Sequence, residues 1–191
     1  MKRITTHPLS PVPARRLRPV ACAALLGVAL AACTTPPAPA PGPRAVAQLQ
    51  ARSGSAVSGT VSFNQEGGRV RVVARVAGLT PNQEHGFHVH EKGDCSSADG
   101  LSTGGHFNPT GQPHGAPDRP HHGGDMPALK ADAKGNAEAT LMLDGVTVGT
   151  GPADLLGKAV IVHAKPDDYA TQPTGNAGGR VACGVIAAVG K

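Results

Sequence analysis

Seven histidines fall between His85 and His122, and an eighth, His163, closes an apolar run. Imidazole is a preferred ligand of copper and zinc, and histidines joined by one carboxylate suit tetrahedral zinc. In Gly86-Phe87-His88-Val89-His90, side chains alternate across an extended strand. His88 and His90 therefore share one face, about 6 to 7 Å apart along the backbone, and Phe87 and Val89 share the other. The parity aims Phe87 and Val89 at the core and sets both imidazoles on the outer face, where they can converge on one ion. His85 has the opposite parity and is predicted to be a solvated turn residue. Downstream, His106, His114, His122 and Asp125 lie within 20 residues of Gly-rich sequence and can close a second site. Taken alone, His163 reads as a satisfied structural histidine at a strand end.

These side chains need a scaffold of short strands and long loops. The 191 residues include 26 Gly and 18 Pro, which argues against a helical bundle. Four aromatics, Phe63, Phe87, Phe107 and Tyr169, exclude a large aromatic core. Residues 57–63 and 70–76 alternate with a period of two around Gly67-Gly68, which predicts a hairpin. Further strands are predicted at 85–90, 137–143, 158–163 and 181–189, and no segment sustains helical periodicity. An antiparallel β-sandwich or barrel follows. Its two long connections, about 91–127 and 164–179, hold most of the chemistry, as long structureless loops in compact domains usually do.

The formal charge of +5 would ordinarily suggest nucleic acid or an anionic membrane. Five of the 18 basic residues lie in the first 18 positions, however, leaving 13 against 13 acidic residues from Thr34 onward. No nucleic-acid partner is expected. The basic segment precedes 13 uncharged apolar residues, 20–32, too few to span a bilayer and suited to an export signal. That stretch ends in Leu30-Ala31-Ala32-Cys33, which resembles a bacterial lipobox with Cys33 as the acylated residue; a plain secretory signal is the alternative. Residues 1–33 are thus expected to be a signal peptide, 34–55 a proline-rich tether, and 56–191 the folded domain. The product would sit in the periplasm or at the cell surface, held to the membrane only by its lipid. Cys95 and Cys183 remain in the domain, either as one disulfide or as free or metal-binding thiols.

Five blocks then fall into a recognisable order: 86–91 followed by Gly93-Asp94-Cys95, 105–109, 122–125, Val162-His163 and 174–186. Together they resemble the copper/zinc superoxide dismutase family over essentially all of 56–188. The resemblance implies an all-β, Greek-key antiparallel sandwich or barrel of immunoglobulin-like form with two long functional loops. It also implies His88, His90, His106 and His163 as copper ligands, and His106, His114, His122 and Asp125 as zinc ligands, with His106 shared. Within His121-His122, the His-x-Gly-Asp spacing selects His122. Asp167 matches the carboxylate that links a copper-ligand histidine to a zinc-ligand histidine, here His88 and His114, with neighbouring Asp168 as the alternative. Cys95 and Cys183 match the family disulfide, and Arg180 matches the arginine that attracts the anionic substrate. The implied reaction is dismutation of superoxide to dioxygen and hydrogen peroxide by alternate reduction and reoxidation of copper, with His106 supplying a proton. Residues 164–179 carry one Lys, two Asp and no Glu, so the guiding charge falls to Arg180. A metal buffer without turnover is the alternative function, and a homodimer is possible.

Overall fold

The computed structural model describes residues 42–190. The proposed signal, Cys33 and the start of the proline-rich stretch lie outside them. Ten strands follow in order: β1 (Arg44–Ala51), β2 (Ser58–Glu66), β3 (Arg69–Ala77), β4 (Glu84–His85), β5 (Phe87–His90), β6 (Leu129–Lys130), β7 (Ala137–Leu143), β8 (Ala159–His163), β9 (Arg180–Val185) and β10 (Ala187–Ala188). Among the described residues the only helical element is a 3-10 turn, Leu101–Thr103.

The main sheet runs β5-β8-β9-β1-β2-β3-β7, with β10 on β1, and its pairings are antiparallel. β3 alternates cleanly, with Val70, Val72, Ala74 and Val76 buried and the arginines between them turned out. This half-buried pattern is what an antiparallel sheet with one wet face requires. The chain leaves β3, forms β5 at the far edge beside β8, and returns as β7 beside β3, a Greek-key route. A small ladder between β4 and β6 lies where the chain enters β5 and approaches β7, the two edge strands of the curled sheet. Phe63, Phe87, Met126, Leu129, Leu155 and Ile186 fill the core inside the curl.

β1 corrects the expected boundary. Residues 34–55 are not a tether throughout, because 44–51 pair with β2 on one side and with β9 and β10 on the other. Ala45, Ala47 and Leu49 are buried on alternate positions. Small alanines give a weak hydrophobic signal beside a proline run, yet they fit where strands close on a core.

β5 and β8 are buried along their whole length, on both faces. One face packs into the core; the other lies beneath the connections 91–128 and 164–179. The outer face expected for His88 and His90 is therefore covered, and both residues are inaccessible to solvent. Cys95 is joined to Cys183, 88 residues later, which ties the first connection to β9.

Candidate metal centre

His88 and His90 stand on β5 and His163 ends β8, the adjacent antiparallel strand. His106 comes from the first connection and bridges back to His90 across an isolated backbone pair. Each of these four offers a ring nitrogen, and the four atoms lie within 4.8 Å of one another. His88 Nδ1, His90 Nε2, His106 Nε2 and His163 Nε2 are buried without any hydrogen-bond partner. Buried polar atoms are almost always bonded, so four exceptions gathered at one point suit a shared electron-pair acceptor. An ion that accepts imidazole nitrogen satisfies all four.

The opposite nitrogens are occupied, which fixes which atom faces inward. His90 Nδ1–H donates to Gly104 O at 3.0 Å and His163 Nδ1–H to Gly178 O at 3.1 Å. His88 Nε2–H donates to Asp167 Oδ2 at 2.6 Å. Such outer contacts are the general means of orienting metal-binding imidazoles.

A second group shares His106. The Nδ1 atoms of His106, His114 and His122 lie 2.8, 3.0 and 3.4 Å from Asp125 carboxylate oxygens. These four residues also offer ligand atoms within 4.8 Å of one another, and all are buried. Three nitrogens and one carboxylate suit zinc. Asp125 is held in place by His122 N–H at 2.9 Å and Gly115 N–H at 3.2 Å, both on Oδ2. His106 thus presents Nδ1 to one group and Nε2 to the other.

Asp167 spans both groups, accepting from His88 Nε2 through Oδ2 and from His114 Nε2 at 2.9 Å through Oδ1. The fit demands a glycine next to it. A Cβ on Gly175 would fall 1.9 Å from Asp167 Oδ1 and 2.6 Å from His114 Nε2, and its φ of +68° is one that side-chain-bearing residues avoid. Asp168 faces away and caps its own turn at Ala170 N, Thr171 N and Thr171 Oγ1. His121 bonds Arg119 O and joins neither group.

Electrostatics prepare the first group for a cation. Burial pushes His88 down to about 4 against the pull of Asp167, and burial with repulsion from His88 pushes His163 down to about 3. Burial also sets His90 well below its ordinary value. All three are neutral at physiological pH, as ligands must be. His114 behaves oppositely. Burial opposes its charge, but the bonds to Asp125 and Asp167 outweigh burial and raise it to about 9. Burial would raise Asp125 and Asp167 as well, yet their histidine bonds hold both far below the usual carboxylate range.

A cleft of about 260 Å³ opens beside the first group, lined by His90, His163, Asp99, Leu101, Thr174 and Arg180 among others. Arg180 Nη1 donates to Gly100 O at 2.8 Å and Thr103 Oγ1 at 2.7 Å, and Nη2 donates to Gly104 O at 2.7 Å. The guanidinium is therefore fixed by the loop that the Cys95–Cys183 disulfide anchors.

The sequence profile described as copper/zinc superoxide dismutase (SODC) matches residues 57–186. The chain belongs to the copper/zinc superoxide dismutase family. Among solved structures, that of the clock protein EA4 is 42% identical, covers 76% of this chain and 94% of its own, and superposes with a TM-score of 0.69. A SOD-like protein from Bacillus subtilis is 34% identical over 76% of this chain and 99% of its own, with a TM-score of 0.67. A double mutant of a SOD-like protein from Bacillus subtilis, with a tyrosine and a proline each replaced by histidine, is 36% identical over 74% and 96%, with a TM-score of 0.64. As a copper/zinc superoxide dismutase family member, the chain binds copper and zinc, and the two histidine groups are where its donors converge.

His85 departs from expectation. β4 pairs with β6 and not with β8, so strand parity does not carry across Gly86. The ring is buried, and Nδ1–H donates to His163 O at 2.7 Å. The imidazole expected in solvent instead holds the backbone of a histidine in the first group. Thr103, Tyr169 and Gln172 also touch the site, and no spacing rule in the sequence marks them.

Proposed function

We propose that the protein dismutates superoxide, two superoxide ions and two protons giving dioxygen and hydrogen peroxide. In this reading His88, His90, His106 and His163 hold copper, and His106, His114, His122 and Asp125 hold zinc. When bound, copper would supply one-electron redox chemistry, and zinc, which is redox-inert, would supply charge and structure.

The protein's own groups do the rest. Arg180 gives the cleft a fixed positive charge. Three of its five N–H groups are committed to the loop, which leaves one on Nη2 and the Nε–H for a small anion. His106 Nε2, buried within the first group, can carry a proton to a reduced oxygen species when it is not on the metal, while Nδ1 stays with the second group. Burial of the four imidazoles excludes bulk water from the ligand nitrogens, and the cleft opens beside them.

The observation that carries this reading is the convergence of four unpartnered ring nitrogens beside a fixed arginine. A metal-holding module without turnover is the competing reading, and the names of the solved neighbours, SOD-like protein and clock protein, keep it in play. Arg180 separates the two. Arg180→Ile in the metal-loaded chain should lose at least roughly tenfold in superoxide removal, the equivalent of about 1.4 kcal/mol, while copper and zinc contents stay unchanged. Equal rates for variant and parent would favour the module.

We further propose that the enzyme works outside the cytoplasm, tethered through Cys33. The lipobox-like end of the apolar stretch supports this, as does the disulfide, which persists in oxidising compartments. Intact mass measurement of the membrane fraction tests the acylation.

A further inference from the structure

His114 sits in a stretch, 108–121, that forms neither strand nor helix. Ordering such a residue costs about 1–2 kcal/mol of backbone entropy, and its own segment gives little in return. Asn108 and Gln112 bond each other, and Arg119 N–H bonds Ala116 O, but neither pair touches His114. Asp125 lies 3.0 Å from His114 Nδ1 and accepts from Gly115 N–H, and the remaining holding groups come from the other long connection. Gln172 Oε1 accepts from His114 N–H at 2.9 Å, and Gln172 Nε2 donates to His114 O at 2.8 Å. One side-chain amide thus serves both main-chain groups of the histidine, as a neighbouring strand would. Tyr169 lies parallel to the imidazole, with centroids 6.5 Å apart and planes 10° apart. Its hydroxyl oxygen accepts from Ala128 N–H at 2.8 Å, and its own N–H donates to Asp167 Oδ1 at 2.7 Å, beside the bond from His114 Nε2.

We propose that Gln172, seconded by the Tyr169 ring, is the positioning residue that sets how firmly His114 holds its metal. The inference rests on the reading that His114 is a zinc ligand. Neither residue belongs to the ligand groups; Gln172 acts through the main chain of His114 and Tyr169 through its ring. Substitutions that disturb such outer contacts typically lower metal affinity 10–100-fold. Gln172 is solvent-exposed over much of its surface, so the lower end applies.

The test uses the full chain loaded with copper and zinc, and in parallel with cobalt(II) in place of zinc. Zinc transfer to a chromogenic chelator, the cobalt ligand-field spectrum, copper retention and the melting temperature of the metal-free protein are recorded for the parent, Gln172→Ala, Tyr169→Leu and Thr110→Ala. Thr110 is exposed on the same stretch and serves as the control. Gln172→Ala should release zinc about tenfold faster and alter the cobalt spectrum, with copper retention and metal-free melting unchanged. Tyr169→Leu should follow in the same direction, and Thr110→Ala should match the parent. Parent-like zinc release and spectrum in Gln172→Ala would overturn the inference. So would equal acceleration of zinc and copper loss with lowered metal-free melting, which is general loosening. A parent protein that never gives a tetrahedral cobalt spectrum would instead overturn the zinc assignment, and the inference with it.

Discussion

Asp167→Asn separates the two metal groups by a tautomer argument. Oδ1 of the carboxylate accepts from His114 Nε2 and Tyr169 N, while Oδ2 accepts from His88 Nε2 alone. An amide keeps the shape but replaces one acceptor with a donor. Placing NH₂ at the Oδ1 position would set it against two N–H groups, so the amide oxygen should remain there and NH₂ should face His88. His88 must then accept at Nε2 and carry its proton on Nδ1, the nitrogen that otherwise has no partner and faces the other three histidines. Copper affinity should fall roughly 10- to 100-fold, about 1.4 to 2.8 kcal/mol, whereas zinc affinity should change by a smaller factor. Competition titration of each metal against a chelator of known affinity measures both. A variant that loses zinc while holding copper as tightly as the parent would refute the reasoning.

Other consequences follow from the same geometry. Truncation to residues 56–191 removes β1 from between β9 and β2 and exposes the apolar faces that covered Ala45, Ala47 and Leu49; circular dichroism should show no cooperative melting, while a chain beginning at Gly42 should melt cooperatively. Gly175→Ala places a methyl inside the Asp167–His114 contact and should reduce zinc content of the purified protein by at least roughly tenfold, with the β-sheet spectrum intact. In metal-free protein, His88 and His163 titrate below the roughly 6.5 of the unfolded chain. On acidification from there towards pH 4 the unfolded state takes up protons that the folded state does not, so stability falls by about 1.4 kcal/mol per pH unit for each such histidine. His114, raised to about 9, works the other way: its contribution is complete below about 6.5 and is lost as pH climbs through 9. Urea denaturation should therefore place maximal metal-free stability near pH 6.5, and a steady rise from pH 4 to pH 9 would contradict this.

Much of the fold was legible because β3 and β8 carry patterns that follow from burial: one wet face gives the alternation of β3, two covered faces give the apolar run of β8. Spacing likewise exposed the histidine sets, since His88 and His90 must share a strand face wherever they lie. β1 escaped because its buried residues are mostly alanine, too small to stand out beside the prolines. His85 escaped because the strand breaks at Gly86, where β4 turns to β6 and the parity of β5 no longer applies. Gln172 and Tyr169 could not have been found at all from the sequence alone. Their contacts join two loops 58 and 55 residues apart in the chain, and nothing local to either loop records the approach.

The proposed activity stands most directly on one measurement: the rate of superoxide decay, followed by pulse radiolysis, with the copper- and zinc-loaded chain in excess EDTA, which silences loosely held copper. The account expects decay first order in protein, slowed by salt as a single guiding charge is screened, and at least roughly tenfold slower with Arg180→Ile. Decay no faster than in EDTA-copper alone, from protein that retains both metals, would contradict it.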